Sequence, residues 1–420
     1  MSAVANIRNK AKDFANKVMG SNCYIIIVYV VSIIFLVILT YSIYFRKEMT
    51  KKDSSLRKME RNKEKVEDDL KLASVTALTN SDYNRKTPKH SLSYGLIDYY
   101  VFGSVNSCCQ GDVINGYVSI EALKNVISYG VRLLDFELYF KDNKVVVAAG
   151  RNNIYMKDTY NHLEIGTVLA EIKKLALRGG AGNLNQSDPL ILNFRVVSNN
   201  PNVYHILEKK IMKHLSDYLA DRRFGKEGKI QDKDIFTTDF KKLKNKVLIF
   251  VDDPNKNYEQ NPNFYELVNA TTHGTGNRSG SLSLFTDYQI KNENSPEKYR
   301  QDAHHKFIIT KPDVMEDVNS SYIIHHANGC QAVMMNFGGN YFDDNMQGYI
   351  RKFSQATKAF VLKPNHLLRP RTVAKMPETQ DPKLNPASAP VKYQVGAVQM
   401  QVKGENNAPV DMPYGGRGGN

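Results

Sequence analysis

At 420 residues, 42% hydrophobic and 24% charged, the chain is too apolar for a disordered protein and too long for one small core. It fits one large domain of about 250–300 residues with appendages. A net charge of +14 and a pI near 9.3 point to anionic lipid, nucleic acid or a basic tail. No paired Cys/His finger or aromatic RNA-binding signature accompanies that charge, so nucleic acid is set aside as a partner. Cys23, Cys108, Cys109 and Cys330 form neither a disulfide framework nor a zinc pattern, which favours a reducing compartment.

Residues 1–20 are basic and mildly amphipathic, with Ile7, Phe14 and Val18 near one helical face, and read either as an interfacial helix or as a solvated tail. From Cys23 to Phe45 the sequence is apolar without one charge, long enough at about 1.5 Å per residue to cross a hydrocarbon core of roughly 30 Å. Tyr24, Tyr41 and Tyr44 stand near its ends, where aromatic rings prefer the headgroup layer. Lys and Arg are denser after this span than before it, so the positive-inside rule predicts a single-pass membrane protein with its C-terminal bulk on the cytosolic side. Leu56, Met59, Val66 and Leu70 then recur at helical spacing within dense mixed charge, the pattern of a solvated helical stalk.

Past a polar linker at Asn80–His90, the pattern predicts strands and helices in alternation. Strands are expected near Tyr99–Gly103, Val131–Leu138, Lys144–Ala148, Leu190–Val197, Val247–Val251, Ser281–Phe285, Lys306–Thr310, Ala332–Phe337 and Ala359–Leu362. Helices are expected at Ser119–Tyr129, with Ser119 as N-cap, and at Glu164–Leu177, Asn202–Ala220 and Asn345–Gln355. Short apolar runs separated by helices mean parallel strands buried on both faces. About eight of them suit an α/β fold closed as a (β/α)8 TIM-type barrel, although the pattern alone leaves an open sheet in play. The predicted division is therefore 1–20 basic N-terminus, 21–45 transmembrane helix, 46–90 stalk and linker, 91–371 barrel, and 372–420 disordered Pro/Gly-rich tail.

One predicted strand carries an anomaly. Asp135 and Glu137 alternate with apolar residues in Gly-Val-Arg-Leu-Leu-Asp-Phe-Glu, so both point to the same face. Two acids inside a core require a cation, a metal or a proton.

Here the residues carry a resemblance. The stretch Gly130–Leu138 is similar to the Gly-Cys-Arg-x-Val-Glu-Leu-Asp strand of phosphatidylinositol-specific phospholipase C. Asn328-Gly-Cys-Gln-Ala-Val-Met-Met-Asn-Phe337 resembles that family's Asn-x-Gly-Cys-Gln-x-Val-x-Leu-Asn-Phe, and Phe360-Val-Leu-Lys-Pro364 its Tyr-Val-Leu-Lys-Pro. The resemblance spans Tyr94–Arg371 and implies a barrel that cleaves inositol-lipid phosphodiesters with two histidines. In this chain Val105 and Ala149 occupy those two positions. The calcium ligands of the eukaryotic members are matched by Asn106, Asp135, Glu137 and Arg195, three oxygen donors and one cation. Arg195 is thus expected to replace the metal, with no cofactor and no calcium, as arginine does in metal-independent bacterial members. Two lysines of the family's fifth strand fall near Phe250 and Asp252, and a basic residue around Lys306 matches a family arginine weakly.

The resemblance implies a membrane-anchored pseudoenzyme acting as a structural or interaction module, bound to the bilayer through residues 23–45, with anionic lipid headgroups and protein partners expected. Alternatives are a phosphoric diester hydrolase with rearranged catalytic residues, and a phosphoinositide or phosphate binder. The Asn106-Ser-Cys-Cys109 loop with Asp-Phe-Glu and Ala-Ala resembles, more loosely, divergent barrels of large DNA viruses, which implies a virion or viral membrane. His304-His305 and His325-His326 read as surface or loop residues, and Cys108-Cys109 as packing. The sequons at Asn185, Asn269, Asn277 and Asn319 read as chance.

Overall fold

The structure is a computed structural model that describes residues 2–19, 22–77, 94–150, 157–178, 186–225, 229–230, 233–273, 282–293, 295–313, 318–340, 342–356, 358–370, 391–395 and 398–402. The linker at Asn80–His90 and Arg371 lie outside them. Two units are distinguished, Met1–Arg369 and Pro370–Asn420.

The first unit opens with helix α1, Ser2–Met19, and helix α2, Asn22–Ala77. Alternating strands and helices follow. They are β1 (Tyr99–Ser104), α3 (Ile120–Ser128), β2 (Leu133–Lys141), β3 (Lys144–Ala148), β4 (Leu163–Glu164), α4 (Ile165–Ile172), β5 (Leu190–Val196) and α5 (Asn202–Leu215). After the short strands β6 (Lys229–Ile230) and β7 (Lys233–Asp234) come β8 (Val247–Asp252), α6 (Pro262–Tyr265), β9 (Val268–Thr271) and β10 (Leu282–Thr286). The unit ends with α7 (Asp287–Lys291), α8 (Pro296–Asp302), β11 (Phe307–Lys311), α9 (Tyr322–Ala327), β12 (Ala332–Met335), α10 (Asp344–Ala356) and β13 (Phe360–Leu362).

Eight strands run parallel in the order β10-β11-β12-β1-β2-β5-β8-β9, a nearly closed barrel in which β9 and β10 are not hydrogen-bonded to one another. The α/β barrel expectation holds, but its membership differs. Lys144–Ala148 is no barrel strand: β3 folds back antiparallel on β2. Asp142 and Asn143, at φ 50° and 56°, make the left-handed turn that a two-residue hairpin demands. Ala359–Leu362 is none either, since β13 pairs antiparallel with β1. The true eighth member is β9, whose Val-Asn-Ala-Thr has too little apolar alternation to read as a strand.

Helix α3 begins where expected, because Ser119 accepts a hydrogen bond from Ala122 N at 3.0 Å. Its Leu123, Val126 and Ile127 are buried, as are Val168, Leu169 and Ile172 of α4 and Leu207 and Ile211 of α5. These stripes cover the outward strand residues.

Helix α2 corrects the reading of a solvated stalk. It runs unbroken from the apolar stretch, which is long and apolar enough to cross a membrane by length and composition, into a segment that docks on the barrel. Met59 is 1% exposed among Tyr129, Phe337, Phe342 and Met346, and Val66 joins the main core. Gln110 Nε2 donates to Lys52 O at 2.7 Å, and Asn62 Nδ2 to Gly339 O at 3.3 Å. A Cβ on Gly339 would lie 2.6 Å from Ser55 O, so only glycine lets the helix come this close.

In the second unit, Val391–Val395 pairs antiparallel with Val398–Val402. This corrects the expectation of a wholly disordered tail, since Val-Lys-Tyr-Gln-Val and Val-Gln-Met-Gln-Val alternate with the strand period of two.

Candidate functional site: an arginine clasp at the barrel mouth

Strands β2, β5 and β8 lie side by side with Asp135 opposite Asn193, Glu137 opposite Arg195, and Arg195 opposite Asp252. The period of two then sends Asp135, Glu137, Asn193 and Arg195 to one face. There Arg195 is clasped. Its Nε donates to Asp135 Oδ1 at 2.9 Å and Nη2 to Asp135 Oδ2 at 2.8 Å. Its Nη1 reaches Glu137 Oε1 at 2.7 Å, and Nη2 also reaches Asn106 Oδ1 at 2.6 Å. The remaining acceptor positions are filled as well. Asn193 Nδ2 donates to Asp135 Oδ1 at 2.7 Å, the Asn106 backbone N–H to Asp135 Oδ2 at 3.0 Å, and the Gly150 N–H to Glu137 Oε2 at 2.7 Å. Asn106 sits at φ 43°, a left-handed conformation that turns its side chain and N–H together toward the clasp.

Asp135, Glu137 and Arg195 are at most 6% exposed. Burial by itself lowers the guanidinium pKa, but Asp135 and Glu137 outweigh it and hold Arg195 above its usual value. The fork geometry of arginine matches two carboxylates in a way no point charge does.

Calcium wants six to eight hard oxygen donors. The residues present do not fit it, because the fourth matched position is a cation whose nitrogens lie within 2.6–2.9 Å of the other three side chains. Among the described residues, no group of three His, Cys, Asp or Glu is placed to hold a metal.

Val105 and Ala149 adjoin the clasp in sequence and are both buried. Val105 N donates to Met335 O at 3.0 Å, and Ala149 O accepts from Asp158 N at 2.9 Å. Neither side chain has a proton to transfer.

The mouth also holds residues that the sequence reading passed over. Lys311, at the end of β11, is half-buried beside the clasp; burial and Arg195 lower its pKa, against the pull of Glu137, Asp135 and Asp252. Lys306 instead precedes β11 and so lies at the opposite end of the barrel. The signal for Lys311 was its place at the C-terminal end of an apolar strand, where barrel sites form. Asn193 was legible as i−2 from Arg195. Asp252 accepts from Thr272 Oγ1 at 2.5 Å, and Thr272 Oγ1 lies 2.7 Å from His273 Nδ1.

His325 and His326 are not surface residues, because α9 packs that face on the barrel. His325 Nε2 is 2.6 Å from Asp287 Oδ1, and His326 stacks on Tyr100 with ring centroids 4.0 Å apart. Burial, then Lys352, keeps the His326 pKa well below the usual imidazole range. His326 thus meets the start of β1, away from the mouth, whereas Asp287, the partner of His325, directly follows the C-terminal end of β10 on the mouth side. Cys108 and Cys109 are buried free thiols whose pKa values burial raises, consistent with packing. Asn269 and Asn319 are 3% and 1% exposed, too buried to carry glycans in the folded chain. Asn185 and Asn277 lie outside the described residues.

Residues 92–252 match the family described as phosphatidylinositol-specific phospholipase C, X domain. The crystal structure of L. pealei PLC21 is similar at TM-score 0.52 and 18% identity, over 66% of this chain and 38% of that one. S. officinalis PLC21 is similar at TM-score 0.51 and 18% identity, with the same coverage of 66% and 38%. This chain therefore spans well under half the length of either, and the likeness is one of fold. No curated protein matches the chain by sequence.

Proposed function

Because residues 92–252 carry the X domain of the phosphatidylinositol-specific phospholipase C family, we propose that the chain is a membrane-anchored pseudoenzyme of that family, a barrel that holds partners rather than cleaves a phosphodiester. The observation that carries this reading is the clasp. The position matched to a metal ligand is a cation locked into two carboxylates, while the positions matched to the proton carriers are Val105 and Ala149. Phosphodiester cleavage by general acid–base catalysis needs a proton carrier within reach of the phosphate, and the buried clasp groups already hold their partners. An arginine in the metal's place is compatible with activity, so the missing histidines weigh more than Arg195.

Helix α2 supplies the anchor through its exposed apolar stretch, and its excess of Lys and Arg beyond Phe45 supports a cytosolic barrel. Exposed apolar side chains at Tyr288, Val318 and Ile323, on segments that follow the C-terminal ends of β10 and β11, favour an interaction role for the mouth side. The loose likeness of the Asn106–Cys109 loop to barrels of large DNA viruses supports a viral membrane as the setting.

A second reading has its own observation. Asp252, Thr272 and His273 form a relay at the rim. With the Thr272 hydroxyl donating to Asp252, its oxygen accepts from His273 in the tautomer protonated at Nδ1, which leaves the Nε2 lone pair facing outward from the relay as an acceptor. That arrangement supports a phosphoric diester hydrolase with relocated chemistry.

The experiment is phosphodiesterase turnover on mixed phosphoinositides by the full chain, beside Val105→His/Ala149→His and His273→Ala. The natural sequence is expected to show no turnover above buffer. Turnover that His273→Ala abolishes would replace the pseudoenzyme reading with the second one.

A further inference from the structure

The docked part of α2 does more than join the apolar stretch to the barrel. Between it and the loops after β1 and β12 lies a crevice of about 180 Å³, lined by Lys51, Ser54 and Lys58 of the helix and by Asp112, Tyr117 and Asn340 of the loops. We propose that this crevice, outside the barrel mouth, binds the headgroup phosphate of an anionic phospholipid. The proposal rests on the membrane-anchored reading above.

Three features support it. The first is position. Lys51 follows Phe45 by six residues, about 9 Å along a helix at 1.5 Å per residue. The headgroup layer on one side is about 5–7 Å deep, half the difference between a bilayer of about 40–45 Å and a core of about 30 Å, so Lys51 stands just beyond it and Lys58, about 20 Å along, forms the far wall. Side chains on a helix lean toward its N-terminus, so Lys51 and Lys58 both lean back toward the apolar stretch.

The second is charge. Lys51 Nζ donates to the Asn115 carbonyl at 3.0 Å, and Lys58 Nζ to Asn340 Oδ1 at 2.9 Å. Both of these acceptors are neutral. The carboxylate in the crevice, Asp112, stands 3.7 Å from Lys51 and accepts from Asn340 Nδ2 at 2.8 Å. Glu48, hydrogen-bonded to Tyr117, is a second acid beside the crevice, so Lys51, Lys52 and Lys58 against Asp112 and Glu48 leave a surplus of one positive charge, and an ammonium with donors to spare suits a phosphate oxygen. Lys52, 5.8 Å from the Tyr117 ring centroid, adds to the positive field.

The third is rigidity. The wall is held in place by Gln110 Nε2, which donates to Lys52 O and, at 3.1 Å, to Ser55 Oγ. Close approach at Gly111 and Gly339 fixes the helix against both loops. A preformed crevice loses little entropy on binding.

The test uses the full chain reconstituted in phosphatidylcholine vesicles containing phosphatidylserine as the minor lipid. The protein is floated, extracted in mild detergent and weighed intact by native mass spectrometry. One phosphatidylserine is expected to stay bound in preference to phosphatidylcholine. Retention should fall roughly five-fold for each of Lys51→Ala and Lys58→Ala, the loss that about 1 kcal/mol per basic residue predicts, and rise for Asp112→Asn. Circular dichroism confirms that the variants fold.

Equal retention of the two lipids, or a Lys51→Ala/Lys58→Ala double variant that keeps phosphatidylserine, would overturn the proposal while leaving the anchor standing. Displacement of the lipid by millimolar inorganic phosphate would also overturn it, marking the crevice as a free-anion site. A chain that does not float removes the anchor itself, and the crevice proposal falls with it.

Discussion

At the mouth of the barrel, Arg195 is buried between Asp135 and Glu137, and those acids keep it charged above its usual range. At the other end, Lys363 and Arg132 are also buried, yet burial lowers their pKa values to about 7 and about 10. Lys363 Nζ donates to the Gly329 carbonyl at 2.7 Å and Arg132 Nη1 to the Ala176 carbonyl at 2.8 Å. Asp98 and Asp188 lie near enough to pull the two values partly back, but not to reverse them. The difference lies in the partners. A cation facing two carboxylates stays an ion and binds those carboxylates in return, whereas the Lys363 ammonium, facing a carbonyl, is drawn toward its neutral form and Arg132 keeps its charge at a lowered pKa. The mouth is therefore locked as a charged unit, and the base is tuned by pH.

The largest expected effect breaks the mouth. Arg195→Leu leaves two acids buried without a cation, and removing one partner of such a group costs about 3–5 kcal/mol. Urea denaturation should show that loss, with most of it recovered in Arg195→Leu/Asp135→Asn/Glu137→Gln. A loss below about 1 kcal/mol, the value of an exposed pair, would mean that water reaches the clasp and that the two ends do not differ as described.

Much of this mouth was legible in the sequence. The alternation of Asp135 and Glu137 on an apolar strand required a counter-charge, and Arg195 followed from the matched positions. The clasp's supports were less legible, because Asn193 and the Gly150 N–H become partners only when register and hairpin are known. The base was hardly legible at all. Lys363 stood in the motif Phe-Val-Leu-Lys-Pro without a role, and nothing local in the sequence places it under Gly329. Likewise β9 escaped notice because its Val-Asn-Ala-Thr is short, has little apolar alternation of its own and is held in the sheet by β8. The docking of α2 was hidden too, since Met59 and Val66 at helical spacing fit a solvated stalk equally well.

The base is sharpened by pH. The folded pKa of Lys363 lies below its ordinary 10.5, at about 7. Between these values the unfolded chain holds the proton and the folded chain does not, so this residue makes stability rise with pH across that window. At about 1.4 kcal/mol per pKa unit, the gain is on the order of a few kcal/mol. Lys363→Met is expected to flatten the rise, stabilising the chain most below pH ~7, where the buried ammonium is fully charged. Denaturation curves across the window check this. An unchanged slope in the variant would assign it to other groups, among them Lys352, which burial lowers to about 8.

The smallest effect concerns how the mouth, unlike the base, is tied to α2. Gly339→Ala would place a Cβ 2.6 Å from Ser55 O and 2.9 Å from Lys58 Cβ, so the helix or the loop has to shift. Overpacking of this kind costs about 1–3 kcal/mol. The strain falls on one side of the molecule, so hydrogen exchange should quicken at Ser55–Asn62 and at Gln110, while strands β5 and β8 keep their protection. If exchange instead quickens evenly through the barrel, the burial of Val66 in the main core couples α2 to every strand and not to the rim alone. The contrast between a tethered mouth and an independent base would then be lost, because a strut that only leans on the rim can be displaced without loosening the strands that carry Arg195.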